Sequence, residues 1–275
     1  MNTTSVINRQ EFARKHVMIS GGTSGINRGI AEHFAEMGAC VAVCSRTQSK
    51  VDETVSALQA KGAVALGFVA DVRNYEQLEQ GIKKVAEEWG NIDILIAGAA
   101  GNFPALANNM SSNGFRAVID IDLLGTYHTL RAAFPFLKKP GSSVINISAP
   151  QASVPMIAQA HVCAAKAGVD MITRTLALEW GPKGIRVNSI IPGPIQGTEV
   201  VDRFFPTEEL QKACVDSVPL RRMGTKRDIS NACLMLSSSV SSYINGVVLP
   251  VDGGWINSGA ASIGEKLGTF FTACD

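Results

Sequence analysis

The sequence has six cysteines and four histidines, and neither set is grouped. Cys40, Cys44, Cys163, Cys214, Cys233 and Cys274 form no CxxC pair and no ligand cluster with a histidine. The spacing that zinc sites and thioredoxin-like motifs require is therefore missing, and no metal site is expected. Cys40 and Cys44 flank an apolar run, where cysteine serves as a small core residue. All six are read as free thiols of a reducing cytoplasm. Excess charge is missing too. With 25 Lys and Arg against 24 Asp and Glu the net charge is +1, so no field favours nucleic acid or an anionic membrane. No apolar run approaches the roughly 18 residues of a membrane helix. The polar stretch Met1 to Gln10 has no apolar signal core. The final Ala273-Cys274-Asp275 is not a peroxisomal address. These absences leave an ordinary soluble surface.

What is present is a chain of 275 residues, 46% apolar, enough for a large core. Short apolar runs occur at His16–Ser20, Cys40–Cys44, Val64–Val69, Ile92–Ala97, Ser143–Ser148, Arg186–Ile191 and Gly246–Val251. Helical patterns lie between them. In Tyr75–Trp89, Leu78, Ile82, Val85 and Trp89 share one face and Gly90 follows as a stop. Val169, Ile172, Leu176 and Trp180 repeat the pattern before Gly181, and Phe115–Leu137 reads as another helix. Such alternation predicts an α/β fold, a parallel sheet with helices on both faces. No linker, repeat or low-complexity segment interrupts it, so one domain is expected over 1–275. Residues 256–275 follow the last strand without assignment.

The first strand leads into Ser20-Gly21-Gly22-Thr23-Ser24-Gly25-Ile26-Asn27-Arg28-Gly29. A glycine-rich turn between strand and helix presents free amides to a pyrophosphate at the positive helix end. An acid closing the second strand would select NAD by accepting from the ribose 2′-hydroxyl. Here the strand ends Cys44-Ser45-Arg46. Arg46 suits a 2′-phosphate, which points to NADP(H), with Arg28 as a second candidate.

Gly21-x3-Gly25, Asp71-Val72, Asp93-Ile94-Leu95-Ile96, the Lys166 helix, Arg186-Val187-Asn188 and Pro192-Gly193 stand in the order and spacing of the short-chain dehydrogenase/reductase family. The resemblance runs from about residue 14 to Asp252-Gly253-Gly254 and implies a Rossmann-type doubly wound sheet. By it, Gly21, Gly22, Thr23, Ser24, Gly25 and Ile26 would hold the pyrophosphate, and Ser45 and Arg46 the adenosine ribose. Asp71 and Val72 would border the adenine. Ala97, Gly98 and Ala99 would line the cofactor. Pro192, Gly193, Ile195 and Thr198 would hold the nicotinamide carboxamide, with Lys166 also on the cofactor. Glu199–Pro219 would be a flexible substrate lid. Asn27 stands where the family usually has glycine; because asparagine tolerates unusual backbone angles, a shifted loop is expected.

The family's usual catalytic set is Asn, Ser, Tyr and Lys. Lys166 is present, but the tyrosine position four residues earlier holds Val162, the serine position Ala149 and the asparagine position Asp122. Ketone reduction needs an acid beside the carbonyl oxygen, and valine cannot serve. Conjugate reduction differs: hydride enters a carbon remote from a thioester carbonyl, and the site must stabilise an extended enolate and supply a proton to carbon.

One branch of the family has this altered set. The sequence resembles peroxisomal-type 2,4-dienoyl-CoA reductases in Gly98-Ala99-Ala100-Gly101-Asn102-Phe103, in Asp120-Ile121-Asp122, in His161 five before Lys166, and in Lys166-Ala167-x-Val169-Asp170, Glu179-Trp180-Gly181-Pro182 and Pro192-Gly193-Pro194-Ile195-x-Gly197-Thr198-Glu199. The match is good to about Glu199 and weak in the lid. It implies that Asp122 and Lys166 form the catalytic pair, with Asp122 ordering a proton-donating water. Arg73 would meet the CoA portion and Phe103 would line the acyl pocket. It also implies an acyl-CoA substrate in unsaturated fatty acid β-oxidation and a homotetramer built through Phe115–Leu137 and Met156–Trp180. Two alternatives stand beside it. One is a carbonyl or hydroxysteroid-type dehydrogenase whose acid has moved to His161 or Tyr127. The other is an NADP-binding protein without catalysis.

Overall fold

The structure, a computed structural model, describes residues 8–257 and 259–272; Cys274 and the Ala273–Asp275 end lie outside them. The elements in order are α1 (Arg9–Phe12), β1 (His16–Ser20), α2 (Gly25–Glu36), β2 (Cys40–Ser45), α3 (Gln48–Ala60), β3 (Ala65–Val69), α4 (Tyr75–Trp89), β4 (Ile94–Ala97), α5 (Ser112–Val118), α6 (Gly125–Ala133), β5 (Ser143–Ile147), α7 (Ala160–Trp180), β6 (Arg186–Pro192), α8 (Glu199–Phe204), α9 (Glu208–Ser217), α10 (Lys226–Ser237), β7 (Val248–Val251) and α11 (Gly259–Thr272). The strands form one parallel seven-stranded sheet in the order β3-β2-β1-β4-β5-β6-β7. This is the doubly wound arrangement that the sequence predicts.

Every residue of β4 and β5 is buried, as expected of strands covered on both faces. Two hydrophobic cores lie against the sheet. One joins Ile30 and Phe34 of α2 to Ile229 and Leu236 of α10; the other joins Leu78 and Ile82 of α4 to Leu130 of α6 and Leu176 of α7. Helix α4 behaves as its pattern predicts: the Asn74 side chain accepts from Gln77 N, and Gly90 ends the helix at φ +86°.

One expectation changes, and two segments gain assigned helices. Phe115–Leu137 is not one α-helix. Residues Ile119–Leu124 form a π-helical turn closed by Gly125 N on the Asp120 carbonyl, and Phe134–Phe136 is a 3-10 turn. A π turn inserts one extra residue, which rotates the side chains that precede it relative to those that follow. The lid segment carries α8 and α9, and the unassigned tail contains α11. Among the described residues no helix is long and apolar enough to cross a membrane, and no three potential ligand side chains converge to hold a metal. Cys40, Cys44, Cys163, Cys214 and Cys233 are free.

The close fit of helix to sheet generates a prediction of unusual sign. Alanine at a helix-interior glycine ordinarily stabilises by roughly 0.5–1 kcal/mol. A Cβ at Gly81 of α4 would collide with the Phe68 ring of β3. Gly81→Ala is expected to lower stability by about 1–3 kcal/mol in urea unfolding, the usual cost of overpacking.

Candidate active site

The strand order reverses between β1 and β4, and ligands of open α/β sheets bind beyond the carboxyl ends of the strands at such a point. A cleft of about 430 Å³ opens there. At one end, Thr23, Ser24, Gly25 and Ile26 line the wall at the start of α2. Ser24 caps α2 without a side-chain hydrogen bond, so the helix presents its amides outward. Gly21 has φ +69°, and a Cβ there would lie 2.8 Å from the Ala99 Cα. That close approach makes a cradle only glycine leaves open. Gly22 does not reach the cleft: a Cβ on it would meet Val43 Cγ1 at 2.7 Å, so its role is packing against β2. Asn27 is helical rather than in a shifted loop. Its Nδ2 donates to the Gly98 carbonyl at 2.7 Å, and Gly98 N donates to Ser20 Oγ at 3.2 Å.

Ser45, Arg46, Asp71 and Val72, expected at the adenosine, line the cleft, joined by Lys50, which the sequence reading missed. Its signal was available as a second cation four residues beyond Arg46. Arg28 is not on the wall: it pairs with Glu53 at 2.6 Å and Glu32 at 3.3 Å. Arg73 is also turned to a local partner, placing Nη2 2.5 Å from Asp71 Oδ2. The guanidinium holds the Asp71 carboxyl below its ordinary pKa. Gly98 and Ala99 line the cleft, whereas Ala97 stays within β4 at 1% exposure.

Asp122 and Lys166 meet at the centre. Lys166 Nζ lies 3.4 Å from Asp122 Oδ2, and both side chains are buried. Nζ also donates to the Ile147 carbonyl at 3.0 Å. Asp122 Oδ1 accepts from Gly101 N at 2.7 Å. The carboxylate stands on the π turn and the lysine on α7, which pack together. Val162 and Ala149 line the same cleft, so no hydroxyl stands at either position. One turn beyond Lys166, Asp170 accepts from Ser189 Oγ at 3.3 Å, and burial pushes its pKa up.

Neither relocated acid faces the cleft. His161 is fully buried, its ring edge-on to Phe103 with centroids 4.6 Å apart. Burial pushes its pKa down from 6.5, favouring the neutral ring. Tyr127 is on α6 with 40% exposure. Phe103 likewise belongs to the packing of Val118, Val162 and Ala165 rather than to the cleft wall. Past the charged pair the cleft is lined by Pro192, Gly193, Ile195 and Thr198, the residues expected at the nicotinamide; a Cβ on Gly193 would meet the Asp252 Cα at 2.7 Å. Beyond it the wall turns apolar with Met156, Val201, Phe204, Phe205, Trp255 and Leu267. Val201, Phe204 and Phe205 stand at helical spacing, but no local pattern joins them to Met156, Trp255 and Leu267, which come from three other segments.

Removing one member of a buried ion pair strands the other, at a cost of about 3–5 kcal/mol. Asp122→Ala is expected to lose that much in urea unfolding. Adding Lys166→Met to Asp122→Ala removes the stranded charge and should restore a large part of the loss. Strictly additive losses would show that the two charges are not coupled.

Comparison with known proteins gives the family. Residues 21–256 match a family model described as enoyl-(acyl carrier protein) reductase. An Arabidopsis thaliana protein named peroxisomal 2,4-dienoyl-CoA reductase, (3E)-enoyl-CoA-producing, is 42% identical over 251 residues, covering 87% of this chain and 84% of the relative. A Bacillus subtilis protein named probable 2,4-dienoyl-CoA reductase, (2E)-enoyl-CoA-producing, is 40% identical over 249 residues, covering 89% and 98%. A crystal structure of a Bacillus anthracis short chain dehydrogenase superposes with a TM-score of 0.82 at 38% identity, covering 89% of this chain and 97% of that one. With the doubly wound fold and these matches in place, the chain belongs to the short-chain dehydrogenase/reductase family.

Proposed function

We propose that the protein is an NADPH-dependent reductase of conjugated acyl thioesters, acting as a 2,4-dienoyl-CoA reductase. The carrying observation is the buried Asp122–Lys166 pair on the cleft wall, with Val162 and Ala149 where hydroxyl donors would stand. The cleft suits the cofactor: the Gly21–Ala99 cradle and the open end of α2 fit a pyrophosphate, and Arg46 with Lys50 fits a 2′-phosphate. When bound, NADPH supplies the hydride.

The residues of the chain do the rest. Hydride addition at Cδ of a 2,4-dienoyl thioester moves negative charge to the thioester oxygen. Lys166, fixed by the Ile147 carbonyl, places a positive charge near that developing anion in a site of low dielectric. Asp122, fixed by Gly101 N, orders the water that protonates carbon. Protonation at Cα leaves a 3-enoyl product and protonation at Cγ a 2-enoyl product, the two outcomes in the names of the plant and bacterial relatives.

The free thiols fit a reducing compartment, and the cytoplasmic location expected from the sequence is part of this proposal. The plant relative's name places that protein in the peroxisome. A single domain and a homotetramer are proposed as well. Exposed Leu124, Tyr127, Met171 and Leu178 on the π turn, α6 and α7 support assembly through those elements.

Two measurements test the reading. NADPH oxidation with 2,4-hexadienoyl-CoA should proceed and fall at least about a hundredfold in Lys166→Ala, the scale of a lost electrostatic stabiliser. Turnover absent while NADPH still binds would overturn it. Arg46→Ala should weaken NADPH binding about tenfold or more, the loss of a charged hydrogen bond, and leave NADH binding nearly unchanged. Equal losses in a fluorescence titration would remove Arg46 from the phosphate site.

A further inference from the structure

Helix α11 has no part in the cofactor site, yet it reaches the cleft. It packs on α9 of the lid segment, and Leu267, at 2% exposure, stands on the cleft wall. Its neighbours on that wall are Met156, Val201, Phe204, Phe205 and Trp255. These six belong to a hydrophobic cluster distinct from both sheet cores. The indole Nε1 of Trp255 is already bonded to Ser217 Oγ at 2.9 Å, so this side chain brings its hydrocarbon face without a free donor. A wall of this kind receives an unbranched hydrocarbon tail and offers nothing to a polar group.

The helix is also held along its length. A Cβ on Gly268 would lie 2.6 Å from Ile157 Cδ1, and Ala260 and Ile263 are buried in the same cluster as Leu267. Leu267 therefore cannot retreat from a longer tail without unpacking α11 from its bed.

We propose that Leu267 is the end wall of the acyl pocket and that α11 sets the length of chain the enzyme accepts. The inference rests on the reading that the substrate is an acyl thioester. A buried methylene is worth roughly fourfold in affinity, so displacing the wall by the branched end of one leucine changes selectivity by a measurable factor.

The test compares the wild-type protein with Leu267→Ala and Leu267→Phe. The kcat/KM for NADPH-dependent reduction is measured with 2,4-hexadienoyl-, 2,4-octadienoyl- and 2,4-decadienoyl-CoA. In parallel, affinities for the saturated hexanoyl-, octanoyl- and decanoyl-CoA are measured by calorimetry with NADP present, and thermal unfolding verifies each fold. Leu267→Ala is expected to raise the decadienoyl to hexadienoyl ratio on the order of tenfold, and Leu267→Phe to lower it comparably. An unchanged length profile in both folded variants overturns the proposal. If no dienoyl-CoA is reduced but the affinities for saturated chains shift as stated, the assigned reaction fails and the wall stands. Affinities indifferent to chain length remove the wall itself. Should Leu267→Ala lose cooperative unfolding, Leu267→Met and Leu267→Phe carry the comparison.

Discussion

Asp122 and Lys166 carry opposite charges 3.4 Å apart, with side-chain exposures of 1% and 6%. Taking either ion out of water alone costs several kcal/mol, so each is tolerable only beside the other and only if the remaining polar valences are met. The surroundings satisfy that requirement. Gly101 N takes one carboxylate oxygen, and the Ile147 carbonyl takes one ammonium proton. The carboxylate reaches this place from a π turn and the ammonium from a 21-residue helix that crosses behind it. Loss of the extra residue in the π turn would swing Asp122 around the helix axis by about 100°, one residue's rotation. The irregular turn is therefore a condition of the site.

The same economy governs the cofactor end. The sheet's reversal between β1 and β4 separates the two loops that, on the proposed reading, meet over a dinucleotide, and the meeting is made through backbone. Gly21 lets the Ala99 backbone close in. Asn27 then joins the first turn of α2 to Gly98, whose own amide returns to Ser20 at the end of β1. A glycine at position 27 would permit close packing by absence; asparagine achieves contact by a hydrogen bond. The helix keeps regular backbone as a result, because the side chain, not an altered φ and ψ, accommodates the substitution.

How much of this was legible in the sequence follows from the range of each interaction. The inner strands, buried on both faces, read as apolar runs, and the half-exposed edge strands β3 and β7 kept enough apolar residues to read the same way, so all seven are legible to within a residue or two. The end of α4 was legible because Gly90 acts locally. The π turn was not: Ile119–Leu124 keeps a helical composition, and one inserted residue leaves the apolar pattern nearly intact. Arg28 and Arg46 look alike as cations after β1 and β2. What separates them is Glu53 on α3, which engages Arg28 across 25 residues of chain. Arg73 had a nearer clue, the carboxylate of Asp71 two residues before it. The burial of Phe103 against His161 and the apolar wall shared by residues 156, 204, 255 and 267 depend on tertiary packing that no local pattern records.

The replacement of hydroxyl donors by Val162 and Ala149 changes what the charged pair can accomplish. Val162 is 2% exposed and packed with Val118 and Ala165, so the side of the pair that would carry a tyrosine is dry. Dry surroundings strengthen every electrostatic interaction within them, and they also withhold a proton from any oxygen bound there. A carbonyl reduced at its own carbon would be left as an unprotonated alkoxide, the least favourable anion to generate beside valine. A dienolate spreads its charge over oxygen and two carbons, and its proton is delivered to carbon. On the proposed reading, the substitutions that disable ketone reduction concentrate the field of Lys166 on the one kind of anion that needs charge stabilisation more than it needs an acid.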